Sequence, residues 1–187
     1  QLNLEMAATD AMTKFACKIK PNWSCLVPEK RQEVTTEGGL DLKKTRARIV
    51  KTTKALQKNK IRVSLFIEPS VDAVRLSHEL GADAVELHTG KYCMATQGAY
   101  GKKSAAIQKQ EFSKIRQAAE LGRSLGLHMH AGHGFDYENV RSVAALEAKK
   151  GVPLFEEYNI GHAIVCRAAI VGLERAVREM VSSICAP

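Results

Sequence analysis

Three histidines lie close together in the stretch Leu127–Val140, which reads LHMHAGHGFDYENV. His133 stands between two glycines, so its imidazole can stay accessible while the backbone approaches a ligand closely. An accessible imidazole can give and take protons near neutral pH. The alternative is a turn histidine without a chemical role. His128 and His130 share one face of a strand and His133 has the opposite parity, so we expect no shared metal ion and predict no metal site.

Two carboxylates fall on the polar faces of predicted strands. Asn3 and Glu5 share one face in NLEMAAT, and Glu86 and His88 share one face in VELHTG. Inside a barrel, a carboxylate is costly unless it is paired or used. Two carboxylates near an exposed histidine suit repeated proton transfers. A structural ion pair with lysine or arginine is the alternative interpretation.

The segment YNIGHAIV has the pattern of a phosphate site. A strand ends, Gly161 turns the chain, and a helix is predicted to begin near Ala163. The amino end of a helix presents free N–H groups and partial positive charge, and His162 can add a donor. A routine strand-to-helix turn remains the alternative.

Two long polar segments have no clear periodicity. VPEKRQEVTTEGGLDL is predicted to be a loop over the active face, in which Thr35 and Thr36 could donate to a phosphate or hydroxyl group. A merely mobile surface loop is the alternative. The segment Lys91–Gln110 is predicted to be a further loop, with no chemistry assigned to it.

Composition narrows the class of protein. The chain has 187 residues, of which 45% are hydrophobic and 26% charged, so it is neither disordered nor a membrane protein. The net charge of +8 favours anionic partners, either phosphorylated metabolites or nucleic acid. Only 5% of residues are aromatic, which argues against base stacking on nucleic acid. Five cysteines without a CxxC pair indicate a reducing, cytoplasmic compartment.

Strand and helix patterns alternate along the whole chain. The predicted strands are Leu2–Ala7, Trp23–Val27, Arg62–Ile67, Ala84–His88, Leu127–Ala131 and Glu157–Ile160. The predicted helices are Thr9–Ile19, Leu42–Asn59, Val71–Leu80, Lys109–Leu125, Tyr137–Glu147 and Ala163–Ser183, with Thr9 and Ser70 as N-caps. This alternation predicts parallel strands joined by right-handed crossovers.

Most predicted strands turn polar at their carboxyl ends, where parallel α/β folds place their active sites. A doubly wound sheet would gather polar residues at one switch point, so we predict a single (β/α)8 TIM barrel domain over residues 1–187. About six of the eight βα units are found, and we expect the two N-terminal units to lie before Gln1. The last two strands then end at AGHG and NIGH, where such barrels often bind phosphate.

Several motifs together resemble those of the pyridoxine 5′-phosphate synthase family of vitamin B6 biosynthesis. They are NLEMA, CLVPEKRQEVTTEGGLD, RVSLFIE, VELHTG, AGHG, and NIGHAI followed by GLERAVREM. The resemblance runs from Gln1 to Met180. It implies a cytoplasmic (β/α)8 homo-octamer that condenses 1-deoxy-D-xylulose 5-phosphate with 3-amino-2-oxopropyl phosphate. It also implies no metal and no organic cofactor.

The resemblance assigns roles to individual residues. Glu5 matches an acid–base glutamate, Glu86 a glutamate that stabilises the transition state, and His133 a proton donor. Thr35 matches a contact to the deoxyxylulose substrate. The contacts to the aminoketone phosphate match Gly134, Gly161 and His162.

This sequence also departs from the family. An Asn-x-Asp-His strand and an HxREDRRH segment would lie before Gln1. His130 stands where asparagine is expected, and Asn22 stands where histidine is expected. We predict that His130 lines the site or packs beside it, and that Asn22 is structural. Two other classes remain open: another phosphate-binding barrel enzyme, such as an isomerase or aldolase, and a basic module that binds nucleic acid.

Overall fold

The computed structural model describes residues 1–29 and 38–185. The strands are β1 (Asn3–Met6), β2 (Trp23–Leu26), β3 (Arg62–Ile67), β4 (Ala84–His88), β5 (His128–Gly132), β6 (Glu147–Lys149), β7 (Val152–Pro153) and β8 (Glu157–Asn159). The helices are α1 (Asp10–Ile19), α2 (Arg46–Lys58), α3 (Val71–Glu79), α4 (Gly90–Thr96), α5 (Ser104–Ser124), α6 (Asn139–Ala144), α7 (His162–Val171) and α8 (Leu173–Cys185). Each predicted strand overlaps a strand of the structure.

Six strands form one parallel sheet in the order β1-β2-β3-β4-β5-β8. Spatial neighbours follow chain order throughout, so this sheet has no switch point of the doubly wound kind. The sheet also curls strongly, and this brings side chains of its two edge strands into contact. Asn3 Nδ2 of β1 donates to Glu157 Oε1 of β8 at 2.9 Å. The fold is therefore an α/β half-barrel with a concave inner face.

The alternation of side chains separates the inner face from the core. The outward side chains of the strands are buried against the helices; they include Leu26, Val63, Leu65, Ile67, Val85, Leu87, Met129 and Ala131. They meet apolar residues of the helices, among them Ile49, Leu56, Val74 and Ile115. Each fully buried aliphatic side chain of this size contributes about 1.5–3 kcal/mol. The core thus lies between sheet and helices, which leaves the concave face for polar groups.

The predicted loop over Lys91–Gln110 is wrong. Its first part belongs to α4 (Gly90–Thr96), which buries Tyr92 and Cys93, and α5 already begins at Ser104. The many polar residues of this segment obscure its helical pattern in the sequence. Tertiary packing, and not the local sequence, determines that it is helical.

The predicted helix over Tyr137–Glu147 is too long. Helix α6 starts only at Asn139, because Asp136 Oδ1 accepts from the Asn139 N–H at 2.8 Å and holds the preceding turn. After α6, the chain forms the β6–β7 hairpin, which the sequence pattern did not predict.

The predicted helix over Ala163–Ser183 is interrupted. Gly172 has φ 84°, a conformation that few residues other than glycine adopt, and it separates α7 from α8. The two helices pack together through Arg167, whose Nε donates to Glu179 Oε2 at 2.8 Å.

The predicted N-caps at Thr9 and Ser70 are both present. Ser70 Oγ accepts from the Ala73 N–H at 3.2 Å and satisfies an otherwise free donor of α3. We expect Ser70→Ala to lower the free energy of unfolding by about 1 kcal/mol, measured by urea denaturation. The exposed Ser182→Ala in α8 is the matched control and should change it by under about 0.5 kcal/mol. Equal effects of both variants would contradict the cap assignment.

Candidate active site

A cavity of about 780 Å³ opens at the carboxyl ends of the parallel strands. Six of the seven residues predicted for the site line it: Glu5, Glu86, His133, Gly134, Gly161 and His162. The seventh, Thr35, lies outside the described residues. The structure therefore brings together, around one space, side chains that are up to 157 positions apart in the chain.

Glu86 is the buried carboxyl group of this cavity, with only 4% of its surface exposed. Burial raises its pKa from 4.5 to about 7, and the charges of Glu5 and Glu157 act in the same direction. The Cys25 thiol and the Asn159 side chain act in the opposite direction. Near neutral pH this carboxyl group can therefore either hold or release a proton.

Cys25 of β2 supports Glu86 from the same face of the sheet. Its Sγ donates to Glu86 Oε2 at 3.5 Å. Burial and the nearby carboxylate raise the pKa of this thiol well above its usual value, so it stays protonated and can donate. A Cβ atom at Gly132 would overlap Glu86 Oε1, so the glycine makes room for the carboxyl group.

Glu5 reaches the same cavity from β1, and its backbone pairs in register with Cys25 of β2. We expected a buried carboxylate, but within the described residues Glu5 is exposed.

His133 follows β5 at the rim and is exposed, as its flanking glycines predicted. Its backbone takes a positive φ of 75°, and Gly134 follows with φ 96°. The Thr89 hydroxyl holds this turn: its oxygen lies 2.7 Å from Gly132 O and 2.9 Å from His133 O. The backbone that carries the imidazole is thus fixed at the cavity mouth in a strained conformation.

The amino end of α7 faces the cavity with Gly161, His162 and Ala163. The helix begins at His162, one residue before the predicted start. A Cβ atom at Gly161 would meet no protein atom within 4 Å, so the open space beside its backbone is available to a ligand. Free N–H groups and the helix dipole favour an anion at this end.

The rings of His128 and His130 both contact Trp23 edge-on. His130 is buried with Nδ1 3.8 Å from Glu157 Oε1, so of the two predicted roles it takes the packing one. Asn22 is structural as predicted, since its Oδ1 accepts from the Leu2 N–H at 2.9 Å. Within residues 1–29 and 38–185, no group of three or more His, Cys, Asp or Glu residues is arranged to hold a metal ion.

The sequence gives no indication of the role of several groups that contact the cavity residues or their neighbours. These are Cys25, Glu68, Thr89 and Asn159, with His88 against His133. Side chains alternate between the two faces of a strand, and this alternation in β1 and β2 indicates that Cys25 and Glu5 lie on the same face of the sheet. The partners of the other groups depend on strand register and loop paths, which no local pattern reveals.

Comparisons with known proteins identify the family of this chain. Residues 1–186 match the family model described as "Pyridoxal phosphate biosynthesis protein PdxJ". The pyridoxine 5′-phosphate synthase of Trichlorobacter lovleyi is 49% identical over all of this chain, which covers 73% of that protein. The enzyme of the same name from Syntrophotalea carbinolica is 47% identical over 96% of this chain and 70% of its own length.

A solved structure shares the fold. The 3-keto-L-gulonate-6-phosphate decarboxylase from Vibrio cholerae has a TM-score of 0.60 at 16% identity, over 99% of this chain and 72% of its own. At that identity the likeness concerns the fold alone.

Among the described residues, no helix has the length and apolar character needed to cross a bilayer.

The family match and the close relatives confirm the resemblance found in the motifs, and the chain belongs to the pyridoxal phosphate biosynthesis protein PdxJ family.

Proposed function

We propose that this chain carries the catalytic cavity of a pyridoxine 5′-phosphate synthase. The substrates are 1-deoxy-D-xylulose 5-phosphate and 3-amino-2-oxopropyl phosphate, and the products are pyridoxine 5′-phosphate, inorganic phosphate and water. The observation that carries the proposal is the convergence of Glu5, Glu86, His133 and the amino end of α7 on one cavity. Membership of the family supports the same reaction.

The reaction needs several proton transfers, because an amine must condense with a ketone, water and phosphate must leave, and a ring must close. Glu5 lines the cavity and acts as the acid–base group that exchanges protons with the substrates. His133 donates a proton from the rim. Glu86, with a pKa of about 7, stabilises charge that develops in the transition state and can pass a proton without a large energetic cost.

The aminoketone phosphate binds at the amino end of α7, against Gly134, Gly161 and His162. Support comes from the open space at Gly161 and from the free N–H groups of the first helical turn. Among the described residues that line the cavity there is no lysine or arginine. Backbone donors and histidines therefore carry the anion binding in this part of the site. Thr35 is proposed to contact the deoxyxylulose substrate.

The wider assembly is part of the same proposal. The six parallel strands form part of a closed (β/α)8 barrel, as their sequential order and curl suggest. The protein is a cytoplasmic homo-octamer without metal or organic cofactor, and it uses neither nucleic acid nor membrane as a partner. Exposed apolar side chains on α7 and α8, such as Val165, Ile170 and Leu173, support self-association.

Acid–base roles predict a loss of turnover without a loss of substrate binding. In the full-length protein, Glu5→Gln and His133→Gln should each lower kcat by about 10²–10⁴-fold, measured as formation of pyridoxine 5′-phosphate. The matched control is Glu120→Gln on the outer surface of α5, where Glu120 pairs only locally with Arg116 at 2.7 Å. Its kcat should stay within about twofold of the wild type. Full turnover in Glu5→Gln would remove Glu5 from the mechanism.

Burial of Glu86 predicts a specific pH dependence of stability. Between pH 4.5 and about 7 the unfolded chain releases this proton and the folded protein keeps it, so stability falls as pH rises through that window. The difference between 4.5 and about 7 corresponds to roughly 3 kcal/mol. Glu86→Gln lacks this titration, so its stability relative to the wild type should increase as the pH rises from 4.5 to 8. The total change should be roughly 3 kcal/mol in the free energy of unfolding, measured by urea denaturation. A constant difference across this range would contradict the raised pKa.

A further inference from the structure

The ring of His133 rests on a second imidazole. His88, the last residue of β4, lies with its ring centroid 4.6 Å from that of His133 and an interplanar angle of 33°. His133 is exposed at the rim, whereas only 10% of the His88 side chain is exposed. Among the described residues that line the cavity, His133 is present and His88 is not. His88 therefore contacts the proposed proton donor from behind.

Neighbouring side chains hold His88 itself in place. Its Nδ1 lies 3.7 Å from Glu68 Oε1, and the same carboxylate oxygen accepts from the Gly39 N–H at 2.7 Å. Phe66 packs edge-on against the His88 ring with centroids 5.2 Å apart. Glu68 is almost as buried as His88, with 11% of its side chain exposed. A carboxylate anchored to the backbone thus faces one ring nitrogen, and an aromatic edge faces the ring.

The space for the two tilted imidazole rings depends on Gly90. A Cβ atom at Gly90 would lie 2.9 Å from His88 Cε1 and 3.1 Å from His133 Cδ2. Both distances are shorter than ordinary carbon contacts, so any larger residue would push the rings away. The amino end of α4 is therefore shaped to admit this histidine pair.

The backbone of His133 is already fixed by Thr89, but backbone hydrogen bonds do not set the torsion of a side chain. An exposed imidazole alone would sample several rotamers. The face of His88 is the buried surface against which the ring can settle, and the contacts of His88 with Phe66 and Glu68 limit how far it can turn. A proton donor misplaced by about 1 Å can lose about 100-fold in rate.

We propose that His88, packed against Phe66 and beside Glu68, is a positioning residue that orients the His133 imidazole for proton transfer. This inference rests on the proposed role of His133 as the proton donor. His88 touches neither substrate in this account, so its replacement affects kcat and leaves the KM values nearly unchanged. Its whole effect passes through His133.

A double-mutant cycle in the full-length protein tests the proposal. His88→Ala should lower kcat at least about tenfold, with KM for both phosphorylated substrates within about threefold of the wild type. In a His133→Ala background, the same replacement should lower the residual kcat by less than about twofold, because the ring to be oriented is absent. The surface control His78→Ala, on α3, should leave kcat unchanged in both backgrounds.

Two results would overturn the proposal: a wild-type kcat in His88→Ala, or the same tenfold fall with and without His133. If His88→Ala does not fold, His88→Phe keeps an aromatic face of similar size and removes the nitrogen that faces Glu68. Its kcat should then fall at least about threefold, and wild-type turnover would count against the proposal. An unchanged kcat in His133→Ala alone would instead remove the proposed function of His133.

Discussion

The register of the parallel sheet withdraws one carboxyl group almost entirely from water. Glu86 is 4% exposed, lies opposite the space left by Gly132, and has the Cys25 thiol as a hydrogen-bond donor. A shift of one residue in β4 would turn Glu86 toward the helices and put an apolar side chain in the cavity. The chemistry of the cavity therefore depends on strand pairing, because pairing decides that this carboxyl group faces the cavity and is buried there.

Groups of different character line one cavity. Glu86 is a buried carboxyl group whose pKa is raised to about 7, and His133 is exposed at the rim. The amino end of α7 presents its free N–H groups to the same space. These groups come from separate elements, so each can be tuned by its own neighbours.

The sequence alone predicts the parts of the site that depend on local rules. Strand parity places Glu5, Glu86 and the packing histidines on the inner face, and the rule for parallel strands gathers the polar ends at one edge. It does not predict contacts that need the register between strands, such as Cys25 with Glu86. It also fails for α4, whose helical face becomes apparent only when Tyr92 is buried.

The fold keeps Glu86 protonated up to nearly neutral pH. Infrared difference spectra between the wild type and Glu86→Gln, recorded across a pH titration, follow the protonated carboxyl band of this one residue. We expect a single loss of that band with a midpoint at about pH 7. A midpoint near the ordinary glutamate value of 4.5 would contradict this, because burial would then not have raised the pKa of Glu86.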